Sequence, residues 1–192
     1  MPFSGLKIGF AITGSFCTID SVLSEIGKLV DKGGDIIPII SSVVDSCDTK
    51  FGLSNELKKR LHTLTGKNSI STIIEAEPIG PKSLLDILVV APCTGNTLGK
   101  IANGITDTSV TMACKAHLRN QKPLILAIST NDGLSGSAKN LGILLNTKNI
   151  YFVPFRQDSP YGKPCSLVAD MELIVPTILE SIKGTQIQPL FV

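Results

Sequence analysis

The segment Leu85–Ala91 (LDILVVA) is the clearest strand in the sequence, and the polar loop Pro92–Thr97 (PCTGNT) follows it directly. An uninterrupted apolar run of this length is typical of a parallel strand that is buried on both faces. Four further segments hold predicted strands: Leu6–Thr13, Asp35–Val44 with the apolar run IIPII followed by Ser41 and Ser42, Pro123–Ser129, and Ile150–Val153. Pro38 interrupts the second of these four segments, and proline in a strand favours an edge position or a bulge.

Segments with the apolar spacing of helices alternate with these strands. They are Thr18–Lys32, Asn55–Leu64, Ser71–Glu75, Thr97–Ala102, Ser109–Arg119, Leu141–Asn146 and Leu167–Lys183. We expect a kink at Pro176 in the last helix. The alternation predicts a three-layer α/β/α, Rossmann-like (flavodoxin-like) fold with a doubly wound parallel sheet. No internal repeat or linker divides the chain, so we expect residues 1–192 to form a single domain.

The composition excludes several functional classes. Hydrophobic residues make up 43% of the 192 residues and charged residues 18%, which argues against disorder. A net charge of +2 without runs of lysine or arginine argues against a nucleic acid partner. Five scattered cysteines without a C-x-x-C pair argue against disulfides or a zinc site. We expect a cytoplasmic protein, because neither a signal peptide nor a membrane-spanning stretch is recognisable.

In doubly wound sheets ligands bind at the carboxyl ends of the strands, so the residues after each predicted strand are site candidates. Gly14 and Ser15 follow the first strand and open a helix, an arrangement that suits an anion such as phosphate. The alternative is that Ser15 only caps the helix. Ser41 and Ser42 follow the second strand, where hydroxyl groups suit a phosphate better than a ribose diol.

The loops after the other two central strands carry further polar groups. Thr94, Asn96 and Thr97 supply donors and acceptors for a polyhydroxyl chain and a phosphate, with a plain helix cap as the alternative. The small polar loop that begins Thr130–Gly133 is either a cover for the site or a simple turn. Because these strand ends meet at one edge of the sheet, the sequence predicts a site for a phosphorylated cofactor.

Other kinds of site are disfavoured. The dinucleotide motif G-x-G-x-x-G does not follow the first strand, and no hydrolase, zinc-protease or Walker motif occurs. His62 and His117 lie in predicted amphipathic helices among polar residues, which favours a surface or helix-end role. Cys93 lies in the candidate loop, but no base can be assigned beside it, so a nucleophilic role is disfavoured.

The segment Pro92–Asp107 resembles the P-x-x-x-N-T…K-I-A-x-G-I-x-D signature of homo-oligomeric flavin-containing cysteine decarboxylases and related flavoproteins. The resemblance extends from about Leu6 to Val153 and implies an oligomer with FMN bound across the strand ends. It implies cofactor contacts at Gly14, Ser15, Ser41 or Ser42 on the phosphate side, and at Pro92, Thr94, Asn96 and Thr97 in the flavin-binding loop. Asn131 matches an asparagine that contacts the substrate carboxylate in the decarboxylases.

Two departures from the family pattern count against cysteine decarboxylation. The decarboxylases carry a catalytic histidine after the second strand, whereas no histidine occurs between Ser41 and Arg60. The P-x-M-N sequence that is usual in the decarboxylases is replaced by Ser129–Asn131 (STN), at the end of the predicted strand Pro123–Ser129.

Further stretches, among them Thr49–Gly52 (TKFG) and Ser129–Leu134 (STNDGL), resemble one branch of this family. That branch implies an oxidoreductase component that forms pyridine-2,6-dicarboxylate from a dihydrodipicolinate in the mother cell of a sporulating bacterium. It also implies a partner, the A subunit of the same enzyme, which resembles a nicotinamide-binding dehydrogenase and through which NADP could act. Two alternatives stay open: an FMN-dependent decarboxylase that acts alone, and a flavin-free structural partner.

Overall fold

The computed structural model describes residues 1–192 and contains one seven-stranded sheet. The strands are β1 (Lys7–Ile12), β2 (Asp35–Ile40), β3 (Ile87–Cys93), β4 (Leu124–Thr130), β5 (Ile150–Phe152), β6 (Phe155–Ser159) and β7 (Lys163–Ala169). The first five confirm the predicted strands and pair in parallel in the order β2-β1-β3-β4-β5. This is the flavodoxin-like order. The chain adds β2 on one side of β1 and then adds β3, β4 and β5 on the other side.

Helices cover both faces of the sheet, which confirms the three-layer α/β/α architecture. They are α1 (Ile19–Asp31), α2 (Ser42–Ser46), α3 (Ser54–Thr65), α4 (Ile73–Ala76), α5 (Gly95–Ala102), α6 (Ser109–Leu118), α7 (Ala138–Leu145) and α8 (Ile174–Ile182). Helices α1 and α8 pack against each other on one face, while α6 packs against α4 and α5 on the other. None of these helices has the length and apolarity needed to span a bilayer.

The core explains why the central strands read as continuous apolar runs. All seven residues of β3 are buried, and 47 buried apolar residues form one cluster that joins the sheet to both helical layers. Gly9 in β1 shows how tight this packing is, because a Cβ atom there would lie 2.5 Å from Leu85 Cδ1. Close packing of this kind fixes the relative heights of β1 and β3, and therefore where their carboxyl ends meet.

Strand β2 is the outer parallel strand, which confirms the edge position expected from Pro38. Its far side is covered at one point, where Ile70 donates its N–H to the Pro38 carbonyl (2.9 Å) and accepts from the N–H of Ile40 (2.8 Å). The strand ends at Ile40, directly before Ser41 as the sequence predicted, and α2 begins at Ser42.

The predicted helix Leu167–Lys183 is wrong in its first part. Residues 163–169 form β7, which pairs with β6 as an antiparallel hairpin and with the end of β4 at Ser129 and Thr130. The helical part is confined to α8. Pro176 lies in the first turn of α8, where amide groups have no intrahelical acceptor, so the prediction of a kink there is also wrong.

The last residues of the chain cover the free edge of this hairpin. Phe155 of β6 donates its N–H to the carbonyl of Leu190 (3.0 Å) and accepts from the N–H of Val192 (3.2 Å). The rings of Phe155 and Phe191 meet edge to face, with centroids 5.2 Å apart. The hairpin is therefore held on both sides, by β4 within the sheet and by the C-terminal segment outside it.

His117 departs from its predicted surroundings, because it is buried in the core rather than placed at a polar surface. Its Nε2 lies 2.9 Å from the carbonyl oxygen of Pro123, the residue just before β4. Burial lowers the pKa of His117 to about 4, so the ring is neutral near pH 7 and donates from Nε2 to this carbonyl. The outcome differs for His62, which is exposed on α3 as expected.

We predict that the free energy of unfolding decreases as the pH falls from 6.5 towards 4, and that His117 causes much of the decrease. The unfolded chain binds a proton near pH 6.5, whereas the folded chain resists it until about pH 4. Above pH 6.5 the neutral ring makes its full contribution to the free energy of unfolding. Below pH 6.5 this contribution decreases by about 1.4 kcal/mol per pH unit. Urea unfolding of His117→Gln should show a shallower pH dependence than the parent, with His62→Gln as the control that keeps the parental slope.

Candidate functional site

A cleft lies at the carboxyl ends of β1, β3 and β4, where the sequence predicted a site. Its volume is about 460 Å³, within the range of small-molecule pockets. Of the predicted residues, Gly14, Ser15, Thr94 and Asn131 line it. Of the four strand ends predicted to converge, three therefore meet at the cleft, while Ser41 and Ser42 at the end of β2 do not line it.

The hydroxyl group of Thr13 connects two of these strand ends. Its Oγ1 donates to the carbonyl of Pro92 (2.6 Å) and accepts from the backbone N–H of Thr94 (3.1 Å). Thr13 is almost fully buried, so its hydrogen bond to Pro92 is shielded from water, and the one from Thr94 is partly shielded. The loop after β3 is thereby held against the end of β1.

Ser15 links the first loop to the end of β4, since its hydroxyl lies 2.7 Å from that of Ser129. Neither Ser15 nor Thr18 makes a side-chain capping hydrogen bond to the helical turns that follow. The capping alternative for Ser15 therefore does not hold, and its hydroxyl belongs to the wall of the cleft.

The predicted residues in the loop after β3 have different roles: some hold the loop in place and others are accessible at its surface. Thr94 caps α5 by accepting from the N–H of Thr97 (3.3 Å), and it also donates to the Thr97 hydroxyl (3.1 Å). Thr97 and Pro92 are buried and do not line the cleft, whereas Asn96 is exposed outside it. The capping alternative thus accounts for the contacts of Thr94 and Thr97 within the protein, while Thr94 also borders the cleft.

Ser41 and Ser42 lie outside the cleft lining, at the end of β2. Gly14 nevertheless lies against this segment, because a Cβ on Gly14 would be 3.5 Å from Val43 Cγ1. The hydroxyl oxygen of Ser41 is buried and has no hydrogen-bond partner, whereas Ser42 is exposed. An unsatisfied buried hydroxyl is uncommon and indicates a missing partner.

The loop after β4 is organised around the carboxylate of Asp132. This carboxylate accepts hydrogen bonds from the hydroxyls of Thr130 and Ser137. The group packs directly on α5, since a Cβ atom on Gly95 would lie within 2.9 Å of all three side chains. The loop is therefore a fixed wall that presents Asn131 at the cleft, rather than a plain turn.

Several residues of the cleft come from segments that the sequence did not assign to the site. Lys50 and Phe51 reach it from the segment between α2 and α3, and Asp158 and Lys163 reach it from the β6–β7 hairpin. Lys163 donates to the Asp158 carboxylate (2.7 Å), and this hydrogen bond raises the pKa of its ammonium group. The clearest signal for Lys50 and Phe51 in the sequence is the TKFG stretch. The spacing of apolar residues does not show that this stretch lies at the cleft.

Cys93 is the last residue of β3 and is completely buried. Burial raises the pKa of its thiol to about 12, so the thiol stays protonated at neutral pH. A nucleophilic role for Cys93 is therefore excluded in this conformation, in agreement with the sequence analysis.

A flavodoxin-like sheet with a hydroxyl-rich cleft at its strand ends is a fold in which nucleotide-type cofactors bind. The chain belongs to the Flavoprotein family, whose model matches residues 3–179.

Among characterised relatives, the chain is 46% identical to the B subunit of dipicolinate synthase from Bacillus subtilis (strain 168), over 98% of this chain and 94% of the relative. The crystal structure of the dipicolinate synthase B subunit from Bacillus halodurans superposes with a TM-score of 0.92 and 45% identity, covering 100% of this chain and 98% of that one. Burkholderia xenovorans DmrB in complex with FMN has a TM-score of 0.63 at 18% identity, covering 77% of this chain and 87% of the other, and shares the fold.

We predict that Thr13→Val destabilises the protein, because it leaves the Pro92 carbonyl and the Thr94 N–H buried without a partner. The expected loss in the free energy of unfolding is about 1–3 kcal/mol. The matched control is Thr63→Val on the exposed face of α3, which should unfold like the parent in urea. Equal stability of the two variants would show that the Thr13 bridge does not hold the loops together.

Proposed function

We propose that the chain is the FMN-binding B subunit of dipicolinate synthase. In this proposal it forms pyridine-2,6-dicarboxylate from dihydrodipicolinate together with the A subunit of that enzyme, in the cytoplasm of the sporulating mother cell, and works as a homo-oligomer. The supporting observation is the cleft rich in hydroxyl groups at the strand ends, in a chain of the Flavoprotein family that is 46% identical to a component of that enzyme.

The residues present fit the phosphate end of FMN. Gly14 and Ser15 form the loop that precedes α1, and Ser41 holds a buried hydroxyl for which the protein supplies no partner. A phosphate oxygen is a suitable acceptor for that hydroxyl, and Ser42 next to it is free to donate as well. We assign these four residues to the phosphate. Among them Ser41 has the buried hydroxyl that lacks a hydrogen-bond partner within the protein.

The loop after β3 fits the ribityl chain and the ring. In this assignment Thr94 contributes a polar group from the wall of the cleft and Asn96 contributes one from the exposed start of α5, two residues further along the chain. Pro92 and Thr97 hold the loop in place through the hydrogen bonds described above. When bound, FMN supplies an acceptor for a hydride equivalent.

The substrate ring becomes aromatic when it loses two electrons and two protons. The role of this chain's residues is to hold the ring by its carboxylates, and the side-chain amide of Asn131 can donate to one of them. We assign no residue to the proton, because Cys93 is buried and protonated and no histidine lines the cleft.

A second arrangement uses the same site without electron transfer in this chain. The A subunit, as a nicotinamide-binding enzyme, would then transfer the hydride to NADP, and this chain would complete the substrate site. A decarboxylase that acts alone is less well supported, because the segment between Ser41 and Arg60 holds no histidine.

We predict that the purified protein binds FMN at about one per chain. A visible absorption spectrum recorded before and during addition of FMN should show the flavin band of the bound form.

Ser41→Ala should bind FMN more weakly by roughly tenfold, since it removes a buried donor to the phosphate. The control Ser24→Ala, on α1 and away from the cleft, should bind like the parent. A colourless protein that does not take up FMN would instead support the flavin-free structural partner.

We also predict that Asn131→Ala raises the KM for dihydrodipicolinate in the complex reconstituted with the A subunit. The expected loss in kcat/KM is about tenfold for one hydrogen bond to a charged group. Asn131→Asp should lose more, because its carboxylate repels that of the substrate. Asn55→Ala, on the exposed face of α3, is the control. Full turnover of Asn131→Ala would rule out contact between this side chain and the substrate.

A further inference from the structure

The segment between α2 and α3 presents a fixed turn to the cleft. Thr49 and Gly52 exchange two backbone hydrogen bonds (3.0 and 3.1 Å), and the N–H of Phe51 donates to Thr49 Oγ1 (3.1 Å). Gly52 has a φ of +144°, a conformation that other residues adopt rarely. The turn therefore sets the positions of Lys50 and Phe51, both of which line the cleft.

Lys50 is the unpaired cation of the cleft. The other lysine there, Lys163, is already neutralised by Asp158. None of the nine ion pairs of the chain involves Lys50. Its Nζ instead lies 5.1 Å from the centre of the Phe51 ring, a contact that holds the ammonium group at the turn.

The remaining polar groups of the cleft are mostly neutral. Ser129 and Asn131 can hydrogen-bond one anionic group, but they bring no positive charge to balance it. A ligand with two negative groups is best satisfied when one of them meets a cation. Phe51, with 55% of its surface exposed, adds an apolar face beside that cation.

We propose that Lys50 binds the second carboxylate of a flat, ring-shaped dicarboxylate, with Asn131 at the first carboxylate and the Phe51 ring against the substrate ring. This inference rests on the proposed function and adds to it the residue that distinguishes a dicarboxylate from a monocarboxylate. The FMN phosphate is the other anion that Lys50 could meet. We assign Lys50 to the substrate because it borders the cleft together with Asn131, whereas Ser41 and Ser42, two of the four residues assigned to the phosphate, lie outside the cleft lining.

The test compares ligand binding by the FMN-loaded chain in complex with the A subunit. The probes are pyridine-2,6-dicarboxylate and pyridine-2-carboxylate, measured by calorimetry in metal-free buffer, and FMN affinity is measured separately on the flavin-free chain. Lys50→Gln should reduce the preference for the dicarboxylate over the monocarboxylate by roughly tenfold, and Lys50→Arg should restore most of it. FMN affinity should not change. The control is Lys148→Gln, an exposed lysine just before β5 and away from the cleft, which should keep the parental preference.

Three results would overturn the inference, and they separate it from the proposed function. If the parent binds FMN and the dicarboxylate and Lys50→Gln binds both equally well, the role of Lys50 is wrong and the proposed function stands. If Lys50→Gln loses FMN affinity instead, Lys50 meets the phosphate. If the parent binds neither FMN nor the dicarboxylate, the proposed function fails, and the inference fails with it.

Discussion

The hydrogen bonds of the Thr13 hydroxyl join the ends of the two central strands, and the cleft depends on that junction. Thr13 lies just after β1, and its two partners lie on either side of Cys93 at the end of β3. Because these partners are backbone groups, the loop after β3 is fixed whichever side chains it carries. The side chains at the strand ends can then be arranged for a ligand while the backbone beneath them stays in place.

The parallel part of the fold was predictable because burial on both faces leaves a plain signal in the sequence. The five apolar runs became β1 to β5, and most of the helices between them were located correctly. The hairpin was not predictable in the same way. The exposed residues Arg156, Gln157 and Asp158 give β6 no apolar alternation, and Leu167–Ala169 merges with the apolar residues of α8. Those residues become strands through the pairing of β6 with β7 and of β7 with β4, which is distant along the chain.

The candidate site was predictable to the extent that it follows from topology. Gly14, Ser15, Thr94 and Asn131 were found because each follows a central strand, and the strand ends meet at one edge of the sheet. Periodicity could not show that Thr97 turns inward and Asn96 outward at the start of α5. Lys50, Phe51 and Lys163 were missed because they lie far from any predicted strand end in the sequence and reach the cleft only through tertiary folding.

The outer edge of β4 is shared, with β5 on its first half and the hairpin on its last two residues. The β6–β7 hairpin, which forms one wall of the cleft, thus pairs with the sheet at only two residues of β4. The floor of the cleft is built from the ends of the parallel strands. Changes in the hairpin can alter which molecules fit without disturbing the strands that define the fold. A protein built in this way can diverge in substrate while its cofactor platform is inherited unchanged.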